Sequence, residues 1–181
     1  MKYRFILNVV KVIMMQFQNK NRIVAVLAAI SIVLGVMENF LPFPIPFVRL
    51  GLSNIGIVIG VYLLDLRYLL FLGGLKSVVT AIFSTGFIFR IVIAYPSLLI
   101  SIFIMYLFYK FSRKYSTALS ISALGSVVNM VLQFLIIKIL FIKNLAFLDI
   151  LPYFLLISFF TGIFIGLISN SVLNKILVGR S

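Results

Sequence analysis

The chain has 181 residues, of which 64% are hydrophobic and only 10% are charged, and its formal net charge is +13 at pH 7. A soluble fold of this composition would expose too much apolar surface to water, so the composition predicts an integral membrane protein. The absence of cysteine excludes disulfides and thiolate metal sites, and the absence of histidine excludes Ser-His hydrolysis and His-ligated zinc or haem.

The N-terminal segment, residues 1–22, mixes apolar side chains with Lys2, Arg4 and Lys11. This pattern is too interrupted for a membrane span and predicts an amphipathic helix that lies at the membrane interface. The segment lacks the unbroken apolar region and the small-residue cleavage site of a secretory signal, so we expect it to remain attached.

Continuous apolar stretches follow, which predict membrane-spanning helices rather than the alternating strands of a membrane β-barrel. The second and third are short against the roughly 17 to 25 residues that a helix needs to cross. Short loops leave no room for a soluble domain, so we expect one all-α membrane domain over residues 23–175 and a tail at 176–181. The six predicted spans are 23–40, 51–64, 68–83, 91–108, 117–141 and 150–173.

The basic residues fall mostly on one side of this bundle. Six spans place eleven of the sixteen on the side of both termini, three (Arg49, Arg90 and Lys143) on the other, and Lys76 and Lys138 within spans. Because cytoplasmic loops keep Lys and Arg, both termini are expected in the cytoplasm. The basic residues are dispersed over several loops, so attraction to anionic lipid headgroups accounts for them and no nucleic-acid partner is expected.

Polar residues flank the first connector of the bundle. Glu38 and Asn39 close the first span, prolines at 42, 44 and 46 hold the next residues extended, and Arg49 and Asn54 follow. Such a connector can cap the outer mouth of a cavity into which Glu38, Arg49 and Asn54 point. Alternatively, Glu38 and Asn39 only end a helix at the interface.

Lys76 falls near the middle of the third span, where a basic residue costs about 2.5 to 3.5 kcal/mol on translocon scales. The charge therefore requires compensation by Glu38, by an anionic substrate, or by snorkelling along a short helix. Lys138 lies nearer the outer end of the fifth span, where snorkelling is the expected solution.

Amide side chains mark one face of the fifth span, because Asn129 and Gln133 are four residues apart and Ser126 continues the stripe. This stripe either lines a cavity or binds neighbouring helices through hydrogen bonds. Arg90, at the outer start of the fourth span, is a further candidate for an outward-facing site.

Three pairs of small residues fit the small-xxx-small pattern of close helix contacts: Ala25 with Ala29, Gly56 with Gly60, and Gly162 with Gly166. Ala28 lies beside the first pair. Such pairs serve packing within the bundle, whereas a pair on an outer face receives the helix of a partner.

The acidic residues are too few and too far apart for metal-dependent diphosphate chemistry, since they number three, Glu38, Asp65 and Asp149. Residues 73–77, Gly-Gly-Leu-Lys-Ser, lack the earlier glycine of a phosphate-binding loop. We therefore expect no catalytic residue, no metal site and no cofactor, and ATP-driven transport would require another subunit to bind ATP.

The run from Glu38-Asn39 through Pro-x-Pro-x-Pro to residues 48–54 (Val-Arg-Leu-Gly-Leu-Ser-Asn) and 61–64 (Val-Tyr-Leu-Leu) resembles the Gx transporter, or heptaprenyl diphosphate synthase component I, family. That family in turn resembles the substrate-binding S components of energy-coupling factor (ECF) transporters. The resemblance covers residues 22 to 175 and is most specific at 38–64. Lys76 stands where an Arg is common, and Asn129 to Gln133 partly matches a His-Asn-x-x-Gln element.

This resemblance implies a binding subunit of a bacterial cytoplasmic membrane, which joins a coupling subunit and two ATPases and captures a vitamin-like, quinone-precursor or isoprenoid-like molecule. It implies that Ala25 and Ala29, with Ala28, contact the coupling subunit and that residues 41–49 cover the substrate. A non-catalytic scaffold in a redox or isoprenoid-synthesis complex is the alternative. The predicted substrate-binding residues are Glu38, Asn39, Arg49, Asn54, Lys76, Arg90, Asn129 and Gln133.

Overall fold

The computed structural model describes residues 20–40, 51–84, 87–112, 116–140 and 149–178, and within these ranges all regular structure is helical. The all-α prediction is thus confirmed for this part of the chain. Residues 1–19 of the predicted interfacial helix lie outside the described residues. The proline-rich connector at 41–50 and residues 179–181 of the predicted tail also lie outside them. A 3-10 turn, Leu52–Asn54, precedes the second of the α-helices, which are α1 (Lys20–Phe40), α2 (Ile55–Leu63), α3 (Leu66–Ile82), α4 (Phe87–Phe111), α5 (Ala118–Leu140) and α6 (Leu151–Val178).

Four helical segments of the described residues are long and apolar enough to cross a membrane: Lys20–Glu38, Arg90–Phe111, Ala118–Leu140 and Leu151–Ile176. These segments indicate a multi-pass membrane protein. The other two helices are shorter. Leu52–Leu63 extends about 18 Å and α3 about 25 Å, against a hydrocarbon core of about 30 Å.

The short helix α2 lies at the centre of the bundle. Its sequence, Ile-Gly-Ile-Val-Ile-Gly-Val-Tyr-Leu, has no polar face, and every residue from Ile55 to Val61 is buried. It contacts each of the other five helices, while α1 packs on α3, α3 on α4, α4 on α5 and α5 on α6. A helix this short cannot fill the length of the bundle, which leaves room before its first residue.

Glycines allow the closest helix contacts. A Cβ atom added at Gly56 of α2 would lie 2.7 Å from the carbonyl oxygen of Leu27 in α1, and one at Gly166 of α6 would lie 2.5 Å from Cα of Leu119 in α5. Gly162 meets the backbone of Ala123 in the same way, at 2.8 Å. The glycine pairs of α2 and α6 therefore serve packing within the bundle.

The end of the bundle where α1 begins is held by polar contacts between helix termini, and we call it the basic end. Lys20 forms an exposed ion pair with Asp65 in the turn between α2 and α3. The Tyr62 hydroxyl at the end of α2 donates a hydrogen bond to the carbonyl oxygen of Ser116, just before α5, at 3.3 Å. The rings of Tyr62 and Tyr109 lie 4.8 Å apart. These contacts fix α2 at the basic end.

We expect Gly166→Ala to lower the free energy of unfolding by about 1 to 3 kcal/mol, because the new methyl group meets the α5 backbone, which cannot rotate away. Gly74→Ala is the matched control, since its Cβ would meet only the Tyr95 side chain at 3.6 Å. The measurement is the thermal unfolding midpoint of each purified variant in detergent. Equal midpoints for the two variants would contradict the α5–α6 contact.

Candidate functional site

A cavity of about 130 Å³ lies toward the opposite end of the bundle, which we call the cavity end. It is bounded by the end of α1, the residues before α2, the second half of α3, the middle of α5, and the first halves of α4 and α6. Most of its lining residues are polar, although the surrounding helices are apolar. The lining residues are Glu38, Gly51, Ser53, Asn54, Lys76, Ser77, Thr80, Ala94, Leu98, Ser126, Asn129, Met130, Gln133, Ser158 and Thr161.

Lys76 is buried at this cavity, with only 5% of its surface exposed. Its Nζ atom donates a hydrogen bond to Oδ1 of Asn54 at 2.5 Å, which joins α3 to the start of α2. The ammonium group therefore lies inside the bundle, next to a polar partner, rather than at a helix end. A buried charge of this kind requires polar neighbours, which the cavity lining provides.

Glu38, in the last turn of α1, is 4% exposed, and its carboxylate holds the turn that precedes α2. One oxygen accepts a hydrogen bond from the Leu52 backbone N–H, and the other accepts one from the Ser53 hydroxyl at 3.5 Å. The turn itself begins at Gly51, whose φ of +70° is left-handed and suits glycine. Glu38 thereby positions Ser53 and the neighbouring Asn54, which in turn binds Lys76.

The opposite wall of the cavity is neutral and comes from α5 and α6. Asn129 and Gln133 of α5, one turn apart, both line it. The side-chain oxygen of Asn129 is buried and has no hydrogen-bond partner among the described residues. A buried acceptor without a donor costs about 1 to 3 kcal/mol, so this oxygen is suited to a donor group brought by a ligand.

Two hydroxyl groups on the cavity wall donate their hydrogen bonds to backbone carbonyl oxygens of their own helices. Thr80 donates to the carbonyl oxygen of Lys76 at 2.8 Å, and Thr161 donates to that of Ser158 at 3.0 Å. Because each hydroxyl has one proton, these oxygens can only accept hydrogen bonds from the cavity. The wall therefore offers acceptors to a bound molecule.

Five of the predicted site residues come together at this cavity: Glu38, Asn54, Lys76, Asn129 and Gln133. Arg90 does not line it, although Ala94, one turn further along α4, does. Arg49 lies outside the described residues, and so does the side chain of Asn39. Lys76 has Ser77 beside it and Thr80 one turn further along α3, so helical spacing could have indicated both. The hydroxyl-bearing lining residues that were not predicted are Ser53, Ser77, Thr80, Ser158 and Thr161.

The three alanines of α1 that were predicted to contact a partner do not share one surface. Ala25 and Ala29 are exposed, whereas Ala28 is 2% exposed and packs in the hydrophobic core. Ala28 therefore does not belong to an outer surface with the other two. Adjacent residues of a helix point about 100° apart, so a pair four residues apart can be exposed while the residue beside it is buried.

A comparison with protein families gives a match to the model described as heptaprenyl diphosphate synthase component I, over residues 27–172. The chain belongs to the heptaprenyl diphosphate synthase component I family. The region shared with this family contains all five of the predicted residues that meet at the cavity. Neither a comparison with curated proteins nor one with solved structures gives a match.

We expect Glu38→Ala to destabilise this family member by about 1 to 3 kcal/mol, because it leaves the Leu52 N–H and the Ser53 hydroxyl without their acceptor. Asp149→Ala removes an exposed carboxylate just before α6 and is the control. Thermal unfolding in detergent measures both. A wild-type midpoint for Glu38→Ala would show that the carboxylate does not hold the turn.

Proposed function

We propose that this chain is the substrate-binding membrane subunit, an S component, of an ATP-dependent ECF-type uptake transporter in the bacterial cytoplasmic membrane. The observation that carries the proposal is the cavity around Lys76, which is lined mostly by polar residues, from five helices and from the turn that precedes α2, inside an apolar bundle. A protein that needed only a stable membrane core would fill this space with apolar side chains, because buried polar groups are costly.

In the proposed topology the six helices form one membrane bundle, both termini are cytoplasmic, and the cavity end faces outward. The distribution of charge supports this orientation, since the described basic end carries Lys20, Arg22, Arg67, Lys110 and Lys175. The connector at residues 41–50 links α1, whose Glu38 lines the cavity, to the turn before α2, whose Gly51 also lines it. Its position in the chain suits the role of covering a substrate that enters from outside.

The cavity supports a small substrate with several hydrogen-bonding groups. A cavity of about 150 Å³ holds a molecule of the size of benzene, and the cavity around Lys76, at about 130 Å³, is of similar size. An acceptor or anionic group of the substrate would bind Lys76, and a donor group would bind Asn129. A vitamin-like molecule or a quinone precursor fits this lining better than an isoprenoid chain, which would leave the polar lining without partners.

The proposed role is binding rather than catalysis, and ATP hydrolysis belongs to two partner ATPases. Among the described residues no three acidic, histidine or cysteine side chains lie together. The carboxylate of Glu38 is engaged in holding the turn before α2.

The exposed pair Ala25 and Ala29 supports docking of a coupling subunit, because small residues let a partner helix approach closely.

We expect Lys76→Ala to weaken substrate binding by about 10- to 150-fold, the equivalent of the 1.5 to 3 kcal/mol of a hydrogen bond to a charged group. Lys138→Ala is the control, since Lys138 lies in the last turn of α5 and does not line the cavity. Native mass spectrometry of each purified variant measures the fraction that retains the copurified ligand. Equal retention by both variants and wild type would contradict the assignment of Lys76.

The function as a whole is tested by coexpressing the chain with and without the coupling subunit and ATPases of its host. A stoichiometric complex that carries a small ligand is the expected result, and the mass of the ligand would narrow its identity. A ligand-free protein that does not copurify with these subunits would favour a non-catalytic scaffold instead.

We expect Ala29→Trp to reduce copurification of the coupling subunit severalfold while ligand retention stays unchanged, because a large ring prevents close helix docking. Ile139→Trp places the same ring on an exposed part of α5 and is the control. The measurement is the ratio of coupling subunit to this chain after affinity purification. An undiminished ratio for Ala29→Trp would place the coupling interface elsewhere.

A further inference from the structure

A second concave surface, separate from the cavity around Lys76, lies at the basic end of the bundle between α1, α3 and α4. This groove has a volume of about 930 Å³ and combines cationic, hydroxyl and apolar side chains. Its lining includes Asn21 and Val24 of α1, Arg67, Tyr68 and Phe71 of α3, and Tyr106 of α4.

The electrostatics of the groove favour an anion. Asp65 also borders it, but its carboxylate is paired with Lys20. Arg67 is exposed and forms no ion pair within the described part of the chain. The other two acidic residues, Glu38 and Asp149, lie toward the cavity end. The guanidinium of Arg67 therefore leaves the groove with a net positive charge.

The start of α3 adds backbone donors to this charge. Asp65 occupies the N-cap position, yet its side chain makes no capping hydrogen bond. The first amides of a helix have no acceptor within the helix, and the helix dipole is positive at this end. A phosphate group binds well where such amides lie beside an arginine.

An apolar track continues from the groove along α3. Phe71 lies one turn beyond Arg67 on the same face and is 63% exposed. Leu75, Val78 and Ile82 extend the exposed face to the end of the helix. From Phe71 to Ile82 the helix rises about 16 Å, which matches the roughly 15 Å that one lipid leaflet contributes to the hydrocarbon core.

We propose that this groove binds an anionic phospholipid. Its phosphate lies against Arg67 and the start of α3, the hydroxyls of Tyr68 and Tyr106 contact the headgroup, and an acyl chain lies along Phe71 toward Ile82. The apolar track favours a lipid over a free anion. A choline headgroup carries a quaternary ammonium, which would need a carboxylate partner in the groove. The nearest carboxylate, Asp65, is already paired with Lys20, so an anionic headgroup is preferred.

The lipid groove adjoins the α1 surface that carries Ala25 and Ala29. Asn21 and Val24 line the groove, and Ala25 lies one turn beyond Asn21 on the same face of α1. A lipid in the groove would therefore border a partner docked on Ala25 and Ala29.

The test is native mass spectrometry of the full chain in detergent, titrated with phosphatidylglycerol or with phosphatidylcholine of identical acyl chains. We expect phosphatidylglycerol to bind more tightly and Arg67→Gln to weaken it about tenfold, with little effect on phosphatidylcholine. Phe71→Gln should weaken both lipids. Lys175→Gln, an exposed cation in the last turn of α6 at the same end, should leave both unchanged.

Four results would overturn the proposal. The first is equal phosphatidylglycerol affinity for Arg67→Gln and wild type, and the second is equal affinity of the wild type for the two lipids. Displacement of phosphatidylglycerol by millimolar inorganic phosphate would indicate a site for free anions. Loss of the coupling subunit in Arg67→Gln, with phosphatidylglycerol binding intact, would identify the groove as a protein interface.

Discussion

The burial of a short apolar helix at the centre of longer ones is the constraint on which this structure depends. Helix α2 is too short to cross the hydrocarbon core, so its terminal backbone groups would lie unsatisfied in lipid unless protein surrounds them, and the other five helices all contact it. The contacts of Tyr62 and of the Lys20–Asp65 pair hold α2 at the basic end. The space that remains is at the other end, and a polar cavity occupies it.

That cavity would be unfavourable without an organised set of partners. The carboxylate of Glu38 satisfies the backbone and hydroxyl donors of the turn that begins α2, and that turn presents Asn54 to Lys76. Two buried charged side chains are thus accommodated through one backbone turn, whose first residue is a left-handed glycine. The wall formed by α5 and α6 is less complete, because the Asn129 oxygen has no donor among the described residues. This asymmetry suits a site in which a bound molecule supplies the missing donor.

Helices α1 and α3 border both the cavity and the lipid groove. On α3, Arg67 and Phe71 face the groove, and Lys76, Ser77 and Thr80 face the cavity. On α1, Val24 faces the groove and Glu38 faces the cavity. The cavity and the proposed lipid groove therefore share their supporting helices.

Much of this architecture follows from the amino-acid order alone. Long apolar stretches specify helices in lipid because only hydrogen bonds within the chain satisfy the backbone there. The cost of placing Glu38, Asn54, Lys76, Asn129 and Gln133 among apolar residues marks them as candidates for a site, and these five do line one cavity. Helical spacing alone could not separate buried Ala28 from exposed Ala25 and Ala29, nor exclude Arg90 from the lining, because the rotation of each helix about its axis depends on its neighbours. The sequence therefore determined the helices and which polar side chains need partners. Only the tertiary packing of five helices around α2 decided which of those side chains share a cavity, since that packing sets the direction each helix face points.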